Sequence, residues 1–401
     1  MIIINFMRNI YQTSKQELGQ FMTPPSIARL LVSKLTPGGS NLLELGAGEG
    51  SLIREAVERL GNIEITAIEC DKYLANRLRQ FVPYANIVNG DVLSKNSQKI
   101  IAANGPFDYT VGNPPYAVTP TQQLDLSALN IWKLHHPRKG NRLDAQFLAQ
   151  SLSSLKSTGS AAFVLPLAFF SDEVYAGFRE ALVQRFSAIR VIELPLNTFA
   201  NAEVATVICH LNGLRTRSCR VDLALADLNG VVIESMNIPV KTASIRMDYS
   251  FHKGMAQLHE HVGLNPIRLS DLGAEIVRGS ATASELVRSE RDFLHTSHLP
   301  VTGIGRFSYL KKTDSSYRLA KVGDIVVPRV GSRCLLRQAI VVQGEIPFTD
   351  CVYRVRIPKK NRESVLHSLA SPVGEIWRRL HAHGSCAKHI TLKDLFTMPI
   401  A

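Results

Sequence analysis

The sequence predicts a doubly wound, Rossmann-like α/β domain in residues 1–245 and a smaller α+β domain in residues 246–401. Three observations support this division. A chain of 401 residues is long enough for two domains. In the first part, apolar runs of strand length alternate with amphipathic helical patterns, which is typical of parallel βαβ units covered by helices on both faces. The second part lacks this alternation and mixes short helical and strand-like segments.

The individual elements follow from the periodicity of the apolar residues. Strands of the first domain are predicted at residues 41–45, 64–68, 86–88, 109–111, 160–165, 189–193 and 206–211. Its helices are predicted at residues 26–35, 50–60, 71–81, 145–156 and 175–186. In the second domain, helices are predicted at 284–291, 361–370 and 373–382, and strands at 324–328 and 352–357.

Composition limits the classes of function. The chain has 46 Lys and Arg against 34 Asp and Glu, a net charge of +12 that favours a polyanionic partner. The first domain has 23 basic and 20 acidic residues and the second 23 and 14, so their net charges are +3 and +9. No apolar run reaches the length of a membrane span, the N-terminus lacks a signal-peptide pattern, and the six cysteines form no CxxC pair. We therefore expect a cytoplasmic protein with no membrane association, reduced cysteines and no metal site. The basic second domain is typical of a module that binds nucleic acid, and a solvated basic surface is the alternative interpretation.

A glycine-rich turn follows the first predicted strand. Residues 41–51 read NLLELGAGEGS, a strand that enters a turn with Gly46, Gly48 and Gly50 and continues as a helix. Glycines at such a turn let a ligand approach the backbone where doubly wound sheets bind nucleotides. The GxGxG spacing differs from the GxGxxG of dinucleotide binders, so a tight turn with close helix packing is the alternative interpretation.

Acidic residues end the next two predicted strands. Glu69 lies about twenty residues after the glycines, where a carboxylate can accept hydrogen bonds from a ribose diol. Asp71 can do the same, or it can cap the following helix. Asp91 follows the third strand, where a carboxylate can meet the exocyclic amine of an adenine. Three successive strand ends thus carry groups suited to a nucleoside.

The most specific motif is Asn113-Pro114-Pro115-Tyr116, at the end of the fourth predicted strand. Two consecutive prolines fix the backbone and remove N–H donors, so carbonyl groups are presented to a substrate. The side-chain oxygen of Asn113 and the carbonyl of Pro114 are placed to accept both protons of a planar amino group. Tyr116 supplies a ring on which that group's base can stack.

These motifs and their order resemble the gamma-class, TaqI-like DNA adenine-N6 methyltransferases over residues 15–211. Residues 19–25, GQFMTPP, precede the glycine-rich turn as the N-terminal cofactor motif does in that class. The resemblance implies the class I methyltransferase fold, S-adenosylmethionine as cofactor and double-stranded DNA as substrate. Glu44 and Leu45 stand where many members of the class have proline and cysteine, which is a departure towards the broader methyltransferase pattern.

The resemblance also implies roles for individual residues. The cofactor residues that it implies are Thr23, Glu44, Gly46, Gly48, Glu69, Asp91 and Phe147, with the last two in the adenine pocket. Phe147 equally fits a core position on its helix. Phe199 is implied to stack on a flipped target base opposite Tyr116, while Asn113 and Pro114 accept the amine protons and help the nitrogen to pyramidalise. The base must leave the duplex first, at a cost of a few kcal/mol.

Two further regions are candidates for DNA contact. Residues 117–142 form a long, weakly patterned segment, which we expect to be a mobile loop that touches phosphates through Arg138, Lys139 and Arg142. Residues 272–279, 322–331 and 388–395 resemble the target-recognition domains of type I specificity subunits and TaqI-like enzymes. Arginine reads guanine in the major groove, and the candidates there are Arg329, Arg333 and Arg337. Each of them also fits a solvent-facing position on a β-hairpin.

The expected protein is a monomeric adenine-N6 methyltransferase, with any restriction endonuclease on a separate chain. The rivals are methyltransferases acting on rRNA guanine-N2 or a protein glutamine amide, which generally lack a basic reader of this size. A cytosine-N4 enzyme more often has serine at position 113. A DNA-reading homologue without activity is disfavoured by the presence of Glu69, Asp91, Asn113 and Tyr116.

Overall fold

A computed structural model gives the fold over most of the chain. It describes residues 21–119, 126–134, 141–199, 204–214, 218–290, 292–309, 316–383 and 388–401. The chain divides into two compact units between Tyr249 and Ser250, four residues after the predicted domain boundary. No helix within these ranges has the length and apolar character needed to cross a membrane.

The first unit contains a nine-stranded mixed sheet and a separate two-stranded ladder. The strands are β1 (Asn41–Leu45), β2 (Glu64–Glu69), β3 (Asn86–Asn89), β4 (Phe107–Gly112), β5 (Val118–Thr119), β6 (Asn141–Arg142), β7 (Leu155–Pro166), β8 (Phe186–Glu193), β9 (Thr206–Leu214), β10 (Arg220–Ala226) and β11 (Val232–Ile238). The helices are α1 (Pro25–Val32), α2 (Ser51–Leu60), α3 (Lys72–Phe81), α4 (Lys95–Asn104), α5 (Leu126–Ile131), α6 (Leu143–Ser153), α7 (Ala168–Ser171), α8 (Ala176–Arg185) and α9 (Val240–Ile245).

The strand order of the large sheet is β11-β10-β8-β9-β7-β4-β1-β2-β3. Strands β1 to β4 and β7 run parallel, whereas β9 is antiparallel to both β7 and β8. The carboxyl ends of β1 to β4 therefore lie at one edge of the sheet, which is where the acidic and Asn-Pro-Pro-Tyr motifs follow. The predicted α/β fold is confirmed.

All seven predicted strands and five predicted helices of the first domain are present, with ends shifted by a few residues. Helix α4 was not predicted because only Ser97 and Ile101 of its ten residues are buried, which leaves little apolar periodicity. Strands β10 and β11 were also missed. β11 is an edge strand with no fully buried residue, so its sequence does not have the apolar run of a central strand.

The predicted mobile loop over residues 117–142 is wrong in its middle. Helix α5 and the residues that follow it are packed into the core, where Trp132 is 4% exposed. The Trp132 indole donates a hydrogen bond to Ser153 Oγ at 3.1 Å, stacks on Phe186 and lies 4.4 Å from the Arg185 guanidinium. Residues 120–125 and 135–140, which include Arg138 and Lys139, lie outside the described residues.

The second unit is an α+β structure, as predicted. Its strands are β12 (Glu275–Arg278), β13 (Gly305–Ser308), β14 (Leu319–Lys321), β15 (Ile325–Pro328), β16 (Ala339–Gln343), β17 (Glu345–Pro347) and β18 (Val352–Arg356), and five of them form a sheet in the order β12-β18-β15-β16-β13. The helices are α10 (Tyr249–Val262), α11 (Ala283–Arg288), α12 (Arg362–Ala370), α13 (Pro372–Leu380) and α14 (Leu392–Phe396). Helix α10 was not predicted.

A buried histidine predicts acid sensitivity of the first unit. His210 of β9 is 1% exposed, its Nε2 bonds to the Leu31 carbonyl at 2.6 Å, and burial lowers its pKa from 6.5 to about 4. The unfolded chain therefore binds a proton more tightly than the folded one, so the stability present above pH 6.5 is lost as the pH falls towards 4. We expect a loss of roughly 3 kcal/mol in unfolding free energy over this window.

Chemical denaturation between pH 4 and 7 measures this loss. His210→Gln keeps a donor for Leu31 but does not titrate, so its stability should depend less on pH. The same change at the exposed His367 should leave the profile as it is in the parent protein. Equal pH profiles for the parent and His210→Gln would contradict the assignment.

Candidate active site

A cavity of about 280 Å³ lies at the carboxyl ends of β1 to β4. It is lined by Phe21, Met22, Gly46, Gly48, Glu69, Cys70, Asp91, Val92, Leu93, Asn113, Pro115, Leu143 and Phe147. Seven of these residues were singled out from the sequence, on four separate strand ends and one helix. The structure therefore brings the Gly-rich, acidic and Asn-Pro-Pro-Tyr motifs together around one concave site.

The glycine-rich turn needs glycine both for its backbone angles and for the close contact of neighbouring side chains. Gly46, Gly48 and Gly50 have φ angles of 74°, 56° and 75°, in the left-handed region that favours glycine. A Cβ at Gly50 would lie 2.4 Å from Leu78 of α3, and one at Gly46 would lie 3.2 Å from the Phe147 ring. Close packing and exposure of backbone to the cavity thus occur in the same turn, so both interpretations of the motif apply.

Glu69 joins the glycine-rich turn to the end of β2. Its carboxylate is 1% exposed and accepts hydrogen bonds from the N–H groups of Gly48 at 2.7 Å and Asp71 at 2.8 Å. Asp71 itself accepts from the N–H groups of Tyr73 and Leu74 and so caps α3. Of the two roles open to Asp71 in the sequence, the structure shows the helix cap.

Asp91 lies opposite an apolar wall of the cavity. Its side chain is exposed and accepts a hydrogen bond from the Leu93 N–H at 2.9 Å, which turns the chain after β3. Val92, Leu143 and Phe147 provide the apolar surface. A slot with apolar walls and a carboxylate at its rim suits a planar base with an exocyclic amine.

The amide of Asn113 is held in one orientation. Its Nδ2 donates to the Phe21 carbonyl at 2.9 Å and to Thr23 Oγ1 at 3.1 Å. A carbonyl oxygen only accepts, so the amide nitrogen must face Phe21 and the amide oxygen must point the other way. Tyr116 donates to that oxygen at 3.4 Å. Thr23 was predicted to contact the cofactor, and its bond to Asn113 is a contact that the sequence did not suggest.

Phe21 adds a third ring to the two that were predicted to stack on a base. Its centroid lies 5.9 Å from that of Tyr116 and 6.4 Å from that of Phe199, and both pairs are tilted. Phe199 is 5% exposed and packs in the hydrophobic core on the α1 side of the sheet. Burial raises the pKa of Tyr116 well above its usual value, so its hydroxyl stays protonated and can donate to Asn113.

A smaller cavity of about 30 Å³ adjoins the glycine-rich turn and is lined in part by Thr23, Glu44 and Ser51. Glu44 is 2% exposed, and its Oε2 atom is buried without a hydrogen-bond partner among the described residues. Burial, together with the nearby charge of Glu69, raises the pKa of Glu44 well above its usual value. Such an orphaned carboxyl oxygen has an unmet need for a donor, which a bound cation or ammonium group would satisfy.

Arg142 is engaged inside the fold. Its Nε donates to Asp144 Oδ1 at 2.9 Å, its Nη2 also bonds to Asp144, and Asp144 is fully buried. The predicted phosphate contact through Arg142 would have to break this pair. The geometry favours an internal role for Arg142.

The three arginines predicted to contact DNA from the second unit differ in exposure and pairing. Arg329 Nε donates to the Asp350 carbonyl at 2.6 Å, and Arg337 Nη1 donates to the Leu299 carbonyl at 3.1 Å. Arg333 is exposed. The hydrogen bonds of Arg329 and Arg337 stabilise the unit itself, so Arg333 is the arginine of this set with the most accessible side chain.

Sequence reasoning missed several residues of the cavity wall. Phe21 and Met22 belong to the GQFMTPP motif, whose position before the glycine-rich turn supports the resemblance. The contacts of Phe21 with Asn113 and of Met22 with Gly48 are seen only in the structure. Cys70 lines the cavity next to Glu69, and burial together with Glu69 raises its pKa to about 11. Its thiol is therefore poorly reactive despite its exposure. No signal in the sequence separated it from the other cysteines.

Comparisons with known proteins place these features in a family. The family model described as "N-6 DNA Methylase" matches residues 4–237. The modification methylase CviBIII of Paramecium bursaria Chlorella virus NC1A is 28% identical over 191 residues, which cover 45% of this chain and 46% of that protein. The type II methyltransferase M.HincII of Haemophilus influenzae is 27% identical over 191 residues, which cover 45% of this chain and 34% of that protein. The chain thus spans between a third and a half of the length of these relatives.

Two other comparisons extend over more of the chain. The methylase subunit of the type I restriction enzyme MpnII of Mycoplasma pneumoniae is 24% identical over 322 residues, 73% of this chain and 58% of that protein. The crystal structure of a type I restriction-modification methyltransferase subunit from Streptococcus thermophilus superposes with a TM-score of 0.43 and 21% identity, covering 63% of this chain and 55% of that one.

Proposed function

The chain belongs to the N-6 DNA Methylase family, and from that premise we propose that it transfers a methyl group from S-adenosylmethionine to the N6 amine of adenine in double-stranded DNA. The observation that carries this proposal is the fixed orientation of Asn113, whose amide oxygen is left as an acceptor at the cavity. A primary amine on a planar base is the substrate that needs such an acceptor.

The residues around the cavity fit an adenosyl cofactor. Left-handed glycines bring backbone to the cavity, Glu69 can accept hydrogen bonds from a ribose diol, and Asp91 faces apolar walls that suit an adenine. The buried Glu44 Oε2 atom, which has no hydrogen-bond partner among the described residues, can accept a hydrogen bond from the ammonium group of the methionine end. When bound, S-adenosylmethionine supplies an activated methyl sulfonium, so the chemistry needs no covalent nucleophile from the protein.

The protein's contribution to the reaction is alignment and polarisation. Asn113 Oδ1 and the Pro114 carbonyl accept the two amine protons, which reduces delocalisation of the nitrogen lone pair into the ring. The ring of Tyr116 provides a face on which the base can stack, beside the tilted ring of Phe21. The base must be flipped out of the duplex to reach this position.

The partners follow from the same proposal. The second unit, in residues 250–401, would read the DNA sequence, with its net positive charge attracting phosphate groups. The relatives are named as a modification methylase, a type II methyltransferase and the methylase subunit of a type I restriction enzyme, so we propose that this chain acts in a restriction-modification system with the nuclease on a separate chain. A single pocket and a single reader can act on a site as a monomer.

The pKa of Glu44 predicts how cofactor binding depends on pH. Protonated Glu44 does not attract a cation, so the affinity for S-adenosylmethionine should fall as the pH is lowered through the raised pKa, by at most about tenfold per pH unit. Binding should release a proton, which calorimetry in two buffers of different ionisation enthalpy detects. Glu44→Gln should abolish this proton release, whereas Glu58→Gln, on the exposed side of α2, should not.

The chemical identity of the product tests the proposal. Purified protein is incubated with unmethylated DNA and S-adenosylmethionine carrying a trideuterated methyl group, and the DNA is digested to nucleosides for mass spectrometry. Labelled N6-methyladenine is the expected product. Labelled N4-methylcytosine would move the assignment to cytosine, and labelling of ribosomal RNA or protein in parallel reactions, with none of DNA, would reject it.

A further inference from the structure

The ladder of β5 and β6 connects the two sides of the active site. Val118 pairs with Arg142, and the N–H of Leu143 donates to the Ala117 carbonyl at 2.9 Å. Ala117 directly follows Tyr116, the predicted face of the base pocket. Leu143 lines the cofactor cavity. A displacement of this ladder would therefore move residues of both the base pocket and the cofactor pocket.

A buried ion pair sits at the end of this ladder. Asp144 is 0% exposed, and its carboxylate accepts from Arg142 through two guanidinium nitrogens and from the Ala145 N–H at 2.8 Å. The guanidinium carbon of Arg142 also lies 5.9 Å from the centre of the Phe169 ring. The side chain of Arg142 is therefore fixed on several sides, and with it the strand on which it lies.

An internal ion pair of this kind adds little net stability. Burying the carboxylate of Asp144 offsets much of its attraction to Arg142, whose side chain is 28% exposed, and apolar replacements of buried ion pairs are often equally stable. We therefore look for the effect of the ion pair in the positions of the side chains that α6 and the β5–β6 ladder carry. Asp144 is the second residue of α6, and the ring of Phe147 on the same helix packs closely against Gly46 in the wall of the cofactor cavity.

We propose that the Arg142–Asp144 pair is a positioning device that couples the base pocket to the cofactor pocket. The pair holds the β5–β6 ladder against the start of α6, so that Tyr116 and Phe147 keep a fixed separation. Occupation of one pocket then favours the ordered form of the other. This inference rests on the proposed function, because it assumes a base in one pocket and the cofactor in the other.

The experiment measures binding of S-adenosylhomocysteine, an unreactive product, by calorimetry with and without a duplex that the parent protein methylates. The parent should bind it more tightly when the duplex is present, by a factor on the order of 10. Asp144→Asn should bind it equally well without DNA but reduce that factor to about 1 to 2, and its kcat should fall about 100-fold with KM for the cofactor little changed.

Two further variants separate positioning from stability. Arg142→Lys keeps the positive charge but loses the bidentate hydrogen bond to Asp144, so it should lose part of the coupling. This variant replaces Asp144→Asn in the experiment if Asp144→Asn does not fold. Asp108→Asn breaks a comparable pair with Lys156 at the opposite end of β4. It should lower stability and leave the coupling factor as in the parent.

Three results are decisive. Absence of coupling in the parent protein, or full coupling in folded Asp144→Asn or Arg142→Lys, would overturn the positioning role while leaving the proposed function intact. A parent protein that binds S-adenosylhomocysteine but methylates no DNA would instead reject the proposed function. Loss of coupling in the two site variants but not in Asp108→Asn would support the inference.

Discussion

Asn113→Ala is expected to lower kcat for DNA methylation about 10³-fold. In the mechanism that we propose, the change removes one of the two acceptors for the amine protons, and loss of a single polarising group of this kind typically costs 10² to 10³ in rate. It also frees the Phe21 carbonyl and Thr23 Oγ1 from the bonds that they receive. Single-turnover transfer of a labelled methyl group to DNA measures the effect.

The comparison variants for this prediction separate chemistry from folding. Thr23→Val removes one of the two acceptors that orient Asn113 but leaves its oxygen, so it should lower the rate by about tenfold. Asn104→Ala, at an exposed position in α4 where the side chain donates to the Ile100 carbonyl of the same helix, should leave the rate unaffected. A folded Asn113→Ala protein with more than a tenth of the parent rate would contradict the assigned role.

Glu69→Gln is expected to weaken S-adenosylmethionine binding at least 100-fold and to destabilise the first unit by about 1 to 3 kcal/mol. Both carboxylate oxygens of Glu69 accept backbone N–H groups, one from Gly48 and one from Asp71. A glutamine must point its NH₂ group at one of these donors, so one buried N–H loses its partner. The glycine-rich turn is then no longer held in the shape that exposes its backbone.

The matched control is Glu55→Gln. Glu55 is also a buried glutamate, but its partner is Arg29, between α1 and α2 and outside the cavity wall. This change should lower the melting temperature while leaving the affinity for S-adenosylmethionine within about twofold of the parent. Calorimetry measures the affinity of both variants for S-adenosylmethionine, and thermal denaturation measures their melting temperatures. Unaltered binding by Glu69→Gln would show that Glu69 does not organise the cofactor site.

The site residues on strand ends were predictable because two local signals coincide there. An apolar run of strand length marks the element, and a polar or glycine residue directly after it marks the edge of the sheet. Gly46 and Asn113 directly follow β1 and β4, Glu69 ends β2, Asp91 lies two residues after β3, and all four line the same cavity. The parallel order of β1 to β4 then brings them together without any further information from the sequence.

Contacts between segments that are distant in the sequence could not be predicted from local patterns. Asn113 is separated by 92 residues from Phe21, whose carbonyl fixes its orientation, and no local periodicity encodes that bond. Arg142 was assigned to DNA because it follows basic residues in a long, weakly patterned segment. Its partner Asp144 lies only two positions away, but the full burial of that carboxylate depends on how α6 packs on the sheet. Trp132 was likewise placed in a loop, because its packing partners come from other elements.

Modification-sensitive long-read sequencing measures whether the protein methylates adenine in DNA and whether this needs Asn113. Genomic DNA is taken from a methylation-free bacterial host that expresses the protein, beside the same host expressing Asn113→Ala. We expect N6-methyladenine confined to one short sequence motif in the first sample and absent from the second. Unmodified DNA from a host that makes folded protein, or equal modification in both samples, would contradict it.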